Sequence, residues 1–174
     1  LEMKTDFQTL KKQAIWAGLK PGMRVADIGC GSGKTSSFLQ HLTGSTGEVV
    51  GLDGSEERIA FARGKYAHTG VDFVQHDLTQ PLNGLGRFDF IWVRFFLEYN
   101  KSQAEAIIES LHRALKPSGI LCLIDLDNNC LNHFGMSERL AAAIQRIVQY
   151  LMDHHDFDPF AGRKLYSFLY DLQF

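Results

Sequence analysis

The sequence predicts an α/β fold: a mainly parallel sheet of about five strands, with helices on both faces in a three-layer sandwich. Three observations carry this. Short, continuous apolar runs recur at Met23–Ile28, Glu48–Asp53, Val71–His76, Phe88–Val93 and Ile120–Ile124. Segments of helical periodicity separate most of them. The first run ends in alternating glycines. Strands that are apolar throughout, rather than at every second residue, belong to parallel sheets buried on both faces.

The elements follow in order. Asp6–Leu19 carries apolar Leu10, Ala14, Ile15 and Ala17 against a polar side and predicts a helix, broken by Lys20-Pro21-Gly22. Met23–Ile28 is the first strand and Lys34–Leu42 the helix after it. Gly44-Ser45-Thr46-Gly47 turns the chain into the second strand, Glu48–Asp53. A helix over Ser55–Ala67 follows, with Ser55 as its cap. Val71–His76 and Phe88–Val93 are the third and fourth strands. Ser102–Leu115 is an amphipathic helix ended by the turn Lys116-Pro117-Ser118-Gly119, and Ile120–Ile124 is the fifth strand. Beyond Asp127 the pattern becomes helical, over Ser137–His155 and Lys164–Leu172. With no linker or repeat, residues 1–174 read as a single domain. It comprises an N-terminal helix (1–20), a core (21–127) and a helical C-terminal segment (128–174).

The 174 residues suffice for one hydrophobic core, and 45% hydrophobic with 22% charged residues describes an ordinary globular chain. A net charge of −2 argues against duplex DNA or RNA as partner, since such binders present a strongly basic face. Cys30, Cys122 and Cys130 have neither disulfide nor zinc spacing, so no metal is expected, and reduced thiols point to the cytoplasm. No apolar run approaches the roughly 18 residues that span a bilayer.

The chemistry concentrates in Asp27-Ile28-Gly29-Cys30-Gly31-Ser32-Gly33, where a strand runs through glycines into a helix. Such a turn brings backbone close to a ligand and offers the free N–H groups of a helix N-terminus. Several nucleotide-binding folds share it. A dinucleotide loop of the form G-x-G-x-x-G/A would need a small residue at Lys34. A P-loop, G-x-x-x-x-G-K-[ST], matches Gly33-Lys34-Thr35 but needs glycine at Ile28. Asp53, ending the next strand 20 positions after Gly33, suits a ligand with free ribose hydroxyls.

The ordered set of motifs resembles the class I, Rossmann-like S-adenosylmethionine (SAM)-dependent methyltransferases. Asp27-x-Gly29-x-Gly31-x-Gly33 resembles the family's first motif, and Gly51-Leu52-Asp53-Gly54-Ser55 its second. His76-Asp77-Leu78 resembles the third. Phe88–Val93 resembles the fourth strand, and Leu115-Lys116-Pro117-Ser118-Gly119-Ile120 the phrase before the fifth. The resemblance spans about residues 20–126. It implies a transferase of the EC 2.1.1 type with SAM as cofactor and S-adenosylhomocysteine as product. It implies cofactor contacts at Asp27, Gly29, Gly31, Gly33, Asp53 (both ribose hydroxyls), Gly54, Asp77 (the adenine amino group), Leu78 and Arg94 (the methionine end). It also implies two further strands, which this sequence lacks. The chain is therefore expected to be truncated, with a sheet edge open to self-pairing as a homodimer.

No catalytic residue is assigned. Glu98 has the chemistry of a base toward an acceptor, but nothing in the sequence fixes it there. Phe95, Phe96 and Tyr99 read as core or as aromatic walls of an acceptor site. His154-His155 between Asp153 and Asp156 reads as a solvated helix end. Arg94-Phe95-Phe96-Leu97 lacks the Asn-Pro-Pro-Tyr-like tetrapeptide of base or glutamine methylation, so a small-molecule acceptor is expected. The alternatives are a SAM-binding module without transfer activity and a P-loop-like NTPase.

Overall fold

The computed structural model describes residues 6–128, 131 and 134–173; Cys130 lies outside them. Five strands form one sheet in the order β3-β2-β1-β4-β5: β1 Arg24–Ile28, β2 Glu48–Asp53, β3 Asp72–Gln75, β4 Phe88–Arg94 and β5 Leu115–Ile124. β1 pairs in parallel with both β2 and β4, and β2 with β3. The strand order reverses between β1 and β4. Open α/β sheets bind ligands at such a switch, outside the carboxyl ends of the strands.

The chain divides into two compact units. The first holds the residues up to Val93 together with Glu109–Cys122. Helix α1 (Phe7–Trp16) is capped by Asp6, whose carboxylate accepts from Thr9 N at 2.8 Å, and packs on α2 (Lys34–Thr43). α2 covers β1 and β2, and α3 (Glu56–Tyr66) covers β2 and β3. Ser55 caps α3, accepting from Arg58 N. Successive residues of β1, β2 and β4 are buried, as two covered faces require. Trp92, Phe88 and Phe90 are the largest fully buried side chains.

The second unit holds Arg94–Ile108 and the chain from Leu123 onward. It contains the 3-10 turn Leu97–Tyr99, the start of α4 (Ala104–Ala114), α5 (Glu138–His154) and α6 (Ala161–Asp171). α5 is capped by Ser137 and buries none of its residues.

Several boundaries differ from the sequence reading. α1 ends at Trp16 rather than Leu19, α4 begins at Ala104 rather than Ser102, and α6 begins at Ala161 rather than Lys164. β5 begins at Leu115, so that Lys116-Pro117-Ser118-Gly119, expected as a turn, lies within the strand. Proline is excluded from sheet interiors because it lacks an N–H. β5 is an edge of the sheet, where that loss is tolerated. The turn signal survives as a bend, with Ser118 at φ 63°.

Candidate functional site

The glycine loop and the end of β2 form one bonded structure in the first unit. Register places Asp27 opposite Gly51 and Ile28 opposite Leu52, so both strands reach the same edge together. Cys30 N donates to Leu52 O at 2.9 Å, and Gly33 N to Cys30 O at 3.0 Å. Asp53, 6% exposed, ends β2 with both carboxylate oxygens engaged: Oδ2 accepts from Gly31 N at 2.9 Å and Oδ1 from Ser55 N at 2.9 Å. The acid predicted to meet a diol is thus also the clamp on the loop. Each carboxylate oxygen has two acceptor positions, so both retain one for a ligand hydroxyl. Arg58 Nη1 stands 3.9 Å from Oδ2, but its side chain is 63% exposed and contributes little.

The loop glycines serve different ends. Gly33 caps α2 at φ 84°, with no side chain capping the helix. A Cβ there would lie 2.7 Å from the Phe73 ring and 2.9 Å from Ala62 Cβ. This glycine is a packing requirement. Gly31 also has positive φ (55°), but the nearest neighbour of its would-be Cβ is Gly29 O at 4.0 Å. Among the described residues, chain neighbours aside, no atom comes closer to that position, which suits close approach by a ligand. Gly29 shares the left-handed conformation at φ 69°. Gly54 is exposed and has no positive φ; its Cβ would sit 3.8 Å from His76 O, so the fold does not demand glycine there.

Asp27 is 3% exposed and accepts from Ser36 Oγ at 2.6 Å, joining the end of β1 to α2. Sequence reasoning missed Ser36, since a serine in a helix gives no signal until its partner nine residues back is known. Ser36→Ala would strip a donor from a buried carboxylate. The expected cost is about 1–3 kcal/mol, read from urea denaturation; an unchanged midpoint would exclude this bond as a structural element. Gly51 was likewise missed as a packing residue: a Cβ there would lie 2.8 Å from Phe73 and 2.9 Å from Ser36 Oγ. The Cys30 thiol is held protonated, first by burial and then by the negative Asp27 and Asp53, which removes it as a nucleophile.

Asp77 lies beyond β3, exposed, with Oδ1 accepting from Thr79 Oγ (2.7 Å) and Thr79 N (3.0 Å). Those bonds hold its carboxyl below the ordinary range. It forms the turn-capping arrangement that loop aspartates favour and retains Oδ2 for another partner. Leu78 beside it is buried.

Arg94 closes β4 and belongs to the second unit, where its guanidinium lies 4.4 Å from the Phe95 ring centroid. Phe95 is a non-glycine residue at φ 56°, a strained position of the kind that gathers at functional sites. The turn after it is held by Asp125. Phe95 N donates to Ile124 O (2.9 Å), while Asp125 Oδ2 accepts from Leu97 N (2.8 Å) and Glu98 N (3.2 Å). Glu98 O accepts from Asp158 N (2.7 Å). These bonds hold the Glu98 backbone, and the residue is buried, 3% exposed. Burial, helped by the charge of Asp125, pushes its carboxyl up to about 7 against an opposing hydrogen bond from Tyr99. Burial also raises Asp125. The structure supplies what the sequence lacked, a fixed place for Glu98.

The His154-His155 pair behaves as a helix end. His154 Nδ1 lies 3.0 Å from Tyr150 O, and its ring stacks on Tyr150 at 4.3 Å. No group of three metal-ligating side chains occurs among the described residues. No described helix is long and apolar enough to cross a membrane.

Comparison with known proteins bears on the same segment. The chain is similar to an uncharacterized methyltransferase of Synechocystis sp. (37% identity over 109 residues, 62% of this chain and 49% of the relative). It is also similar to the 2-phytyl-1,4-naphtoquinone methyltransferase of the same organism (35% over 115 residues, 63% and 48%). It spans about half the length of these relatives. Among solved structures, a methyltransferase from Bacillus halodurans superimposes with a TM-score of 0.70 over 94% of this chain and 68% of that one, at 21% identity, which establishes the shared fold. Residues 25–119, more than half the chain, match the family model described as a methyltransferase domain, so that the clamped glycine loop, β2 with Asp53, and β4 all fall inside it: the chain belongs to the methyltransferase domain family.

Proposed function

We propose that this chain binds SAM and transfers its methyl group to a small aromatic acceptor of the hydroquinone class. One observation carries the cofactor assignment: a buried carboxylate, Asp53, bonded to Gly31 N beside open space over the Gly31 backbone. That pairing suits a ligand with a diol and no phosphates. The residues present fit the group. Asp53 would take the ribose hydroxyls with its remaining acceptor positions, and Asp77 Oδ2 with the Leu78 backbone would take the adenine edge. The loop through Gly29, Gly31 and Gly33, followed by Gly54 after β2, would supply close backbone approach; Asp27, bonded to Ser36 of α2, would brace the strand end that leads into the loop, and the family resemblance gives Arg94 the methionine end. The name of the naphthoquinone methyltransferase relative supports the acceptor class. The near-neutral charge and the free thiols Cys30 and Cys122 agree with a small-molecule reaction in the cytoplasm.

When bound, SAM supplies an electrophilic methyl on a positively charged sulfur. The protein's part is orientation: holding the cofactor by its far ends leaves the methyl in line for displacement. Residues that exclude water around the pair strengthen each polar contact.

Calorimetric titration with S-adenosylhomocysteine tests the cofactor. Binding should weaken at least tenfold in Asp53→Ala, since one charge-assisted acceptor is worth about 1.5–3 kcal/mol. Asp53→Asn, which keeps one oxygen, should fall between. Absence of wild-type binding would overturn this reading, and magnesium–ATP binding in its place would favour the nucleotide-hydrolase alternative that Gly33-Lys34-Thr35 suggests.

A further inference from the structure

We infer that Glu98 and Tyr99 form a proton path for the transfer reaction: the exposed phenol of Tyr99 meets the acceptor's hydroxyl, and the buried carboxylate of Glu98 receives the proton. The inference rests on the methyltransferase reading and deepens it by naming the groups that handle the acceptor's proton.

Four observations support it. First, the two residues lie in the 3-10 turn that follows the carboxyl end of β4, and it is at the carboxyl ends of their strands that open parallel sheets take ligands. Second, the pair combines opposite exposures. Tyr99 is 61% exposed and Glu98 3%, and a hydrogen bond joins their side chains. A buried carboxyl bonded to an accessible hydroxyl is an arrangement through which a proton can enter and leave without the carboxyl meeting water. Third, the position is held from several sides, by Asp125 on Leu97 N and Glu98 N, by Asp158 N on Glu98 O, and by the Tyr99 ring packed at 5.6 Å from Phe157. Fourth, the turn opens with the strained Phe95.

Among the described residues, the groups that act on Glu98 are Asp125 from the segment after β5 and Tyr99 within the turn. The segment between α5 and α6 carries Asp158, paired with Lys164, and Asp156, whose carboxylate accepts from Ser102 N and Oγ. Burial first, and then the charge of Asp125, oppose the ionisation of Glu98, so that it is a receptive base only near neutral pH and above. Asp158 is neutralised by its lysine.

The electron pair of the acceptor's hydroxyl oxygen forms the new bond to the methyl carbon. The sulfur–methyl bond breaks, and its pair stays on sulfur, which becomes neutral. The acceptor's hydroxyl proton passes to the Tyr99 oxygen as the phenol's own proton passes to Glu98. The proton later leaves by the same route to water.

The test combines a titration that needs no acceptor with turnover. In the full chain labelled with 13C-carboxyl glutamate, one glutamate signal should titrate near pH 7, vanish in Glu98→Gln, and move to higher pH in Tyr99→Phe, which loses the bond but keeps the ring against Phe157. Methyl transfer from SAM to 1,4-naphthohydroquinone should rise with pH about the same midpoint. It should fall about a hundredfold or more in Glu98→Gln and about tenfold or more in Tyr99→Phe, with S-adenosylhomocysteine affinity unchanged. A Glu98 signal in the ordinary carboxylate range overturns the inference. So does a Tyr99→Phe variant that leaves both midpoint and turnover at wild-type values, or a Glu98→Gln variant that transfers at the wild-type rate. Failure of the wild type to bind S-adenosylhomocysteine would instead overturn the methyltransferase reading itself.

Discussion

Replacing Gly33 by alanine should destabilise the chain by about 3 kcal/mol, through two costs that add. A left-handed backbone costs an L-residue ~1–2 kcal/mol. Forcing a methyl into occupied space costs a further ~1–3 kcal/mol. At Gly33 both apply, with φ at 84°, Phe73 at 2.7 Å and Ala62 Cβ at 2.9 Å. Gly70 isolates the first cost. Its φ is 80°, yet nothing lies within 4 Å of its would-be Cβ, so Gly70→Ala should lose only ~1 kcal/mol. Urea denaturation of the two variants gives the comparison. Phe73→Leu in the Gly33→Ala background should recover part of the loss, because the clash is with the far edge of the ring. Equal costs at Gly33 and Gly70 would show that β3 does not pack on the loop as described. Because Gly33 N is bonded to Cys30 O and Gly31 N to Asp53, movement at position 33 reaches the whole clamp; cofactor affinity should fall along with stability.

The same residues show how far the sequence could be read. Local pattern placed β1, β2, α2 and α3 to within a residue or two, because buried parallel strands and capped helices leave their marks in consecutive positions. It placed Asp53 at the end of β2, where the strand does end, since spacing from the glycines is a local property. It could not foresee that Asp53 also accepts from Gly31 N, nor that Gly33 and Gly51 both make room for the Phe73 ring, some 20 to 40 residues distant. Ser36 and Asp27 meet only once α2 lies on β1. Lys116-Pro117 read as a break because proline ends helices and interrupts sheets; which strand is an edge is a matter of topology, not of local sequence. Glu98 is the extreme case. Its environment is assembled from Asp125 and Asp158, residues that sequence reading gave no reason to join to it.

That assembled environment has a thermodynamic consequence that can be measured without ligand. Glu98 titrates at about 7 in the folded chain against 4.5 for the ordinary carboxyl. Between those values the folded state binds more protons than the unfolded state at this site. The stability linked to Glu98 is therefore fully present below pH 4.5 and is lost as pH rises through 7. Holding a carboxyl at 7 rather than 4.5 corresponds to ~3 kcal/mol. Asp125 is shifted in the same direction and adds to the effect with the same sign. In Glu98→Gln the Glu98 contribution disappears, while every other titrating group remains. Measured in urea at pH 4.5 and pH 8, the stability difference between variant and wild type should move by ~3 kcal/mol in the variant's favour at the higher pH. Parallel stability curves would mean that Glu98 ionises as a solvated glutamate does, and the buried position after β4 would have to be abandoned. A shift of the expected size would show that the fold carries a standing cost at neutral pH in order to keep one carboxylate out of water. That is the cost expected of a group retained for proton transfer rather than for stability.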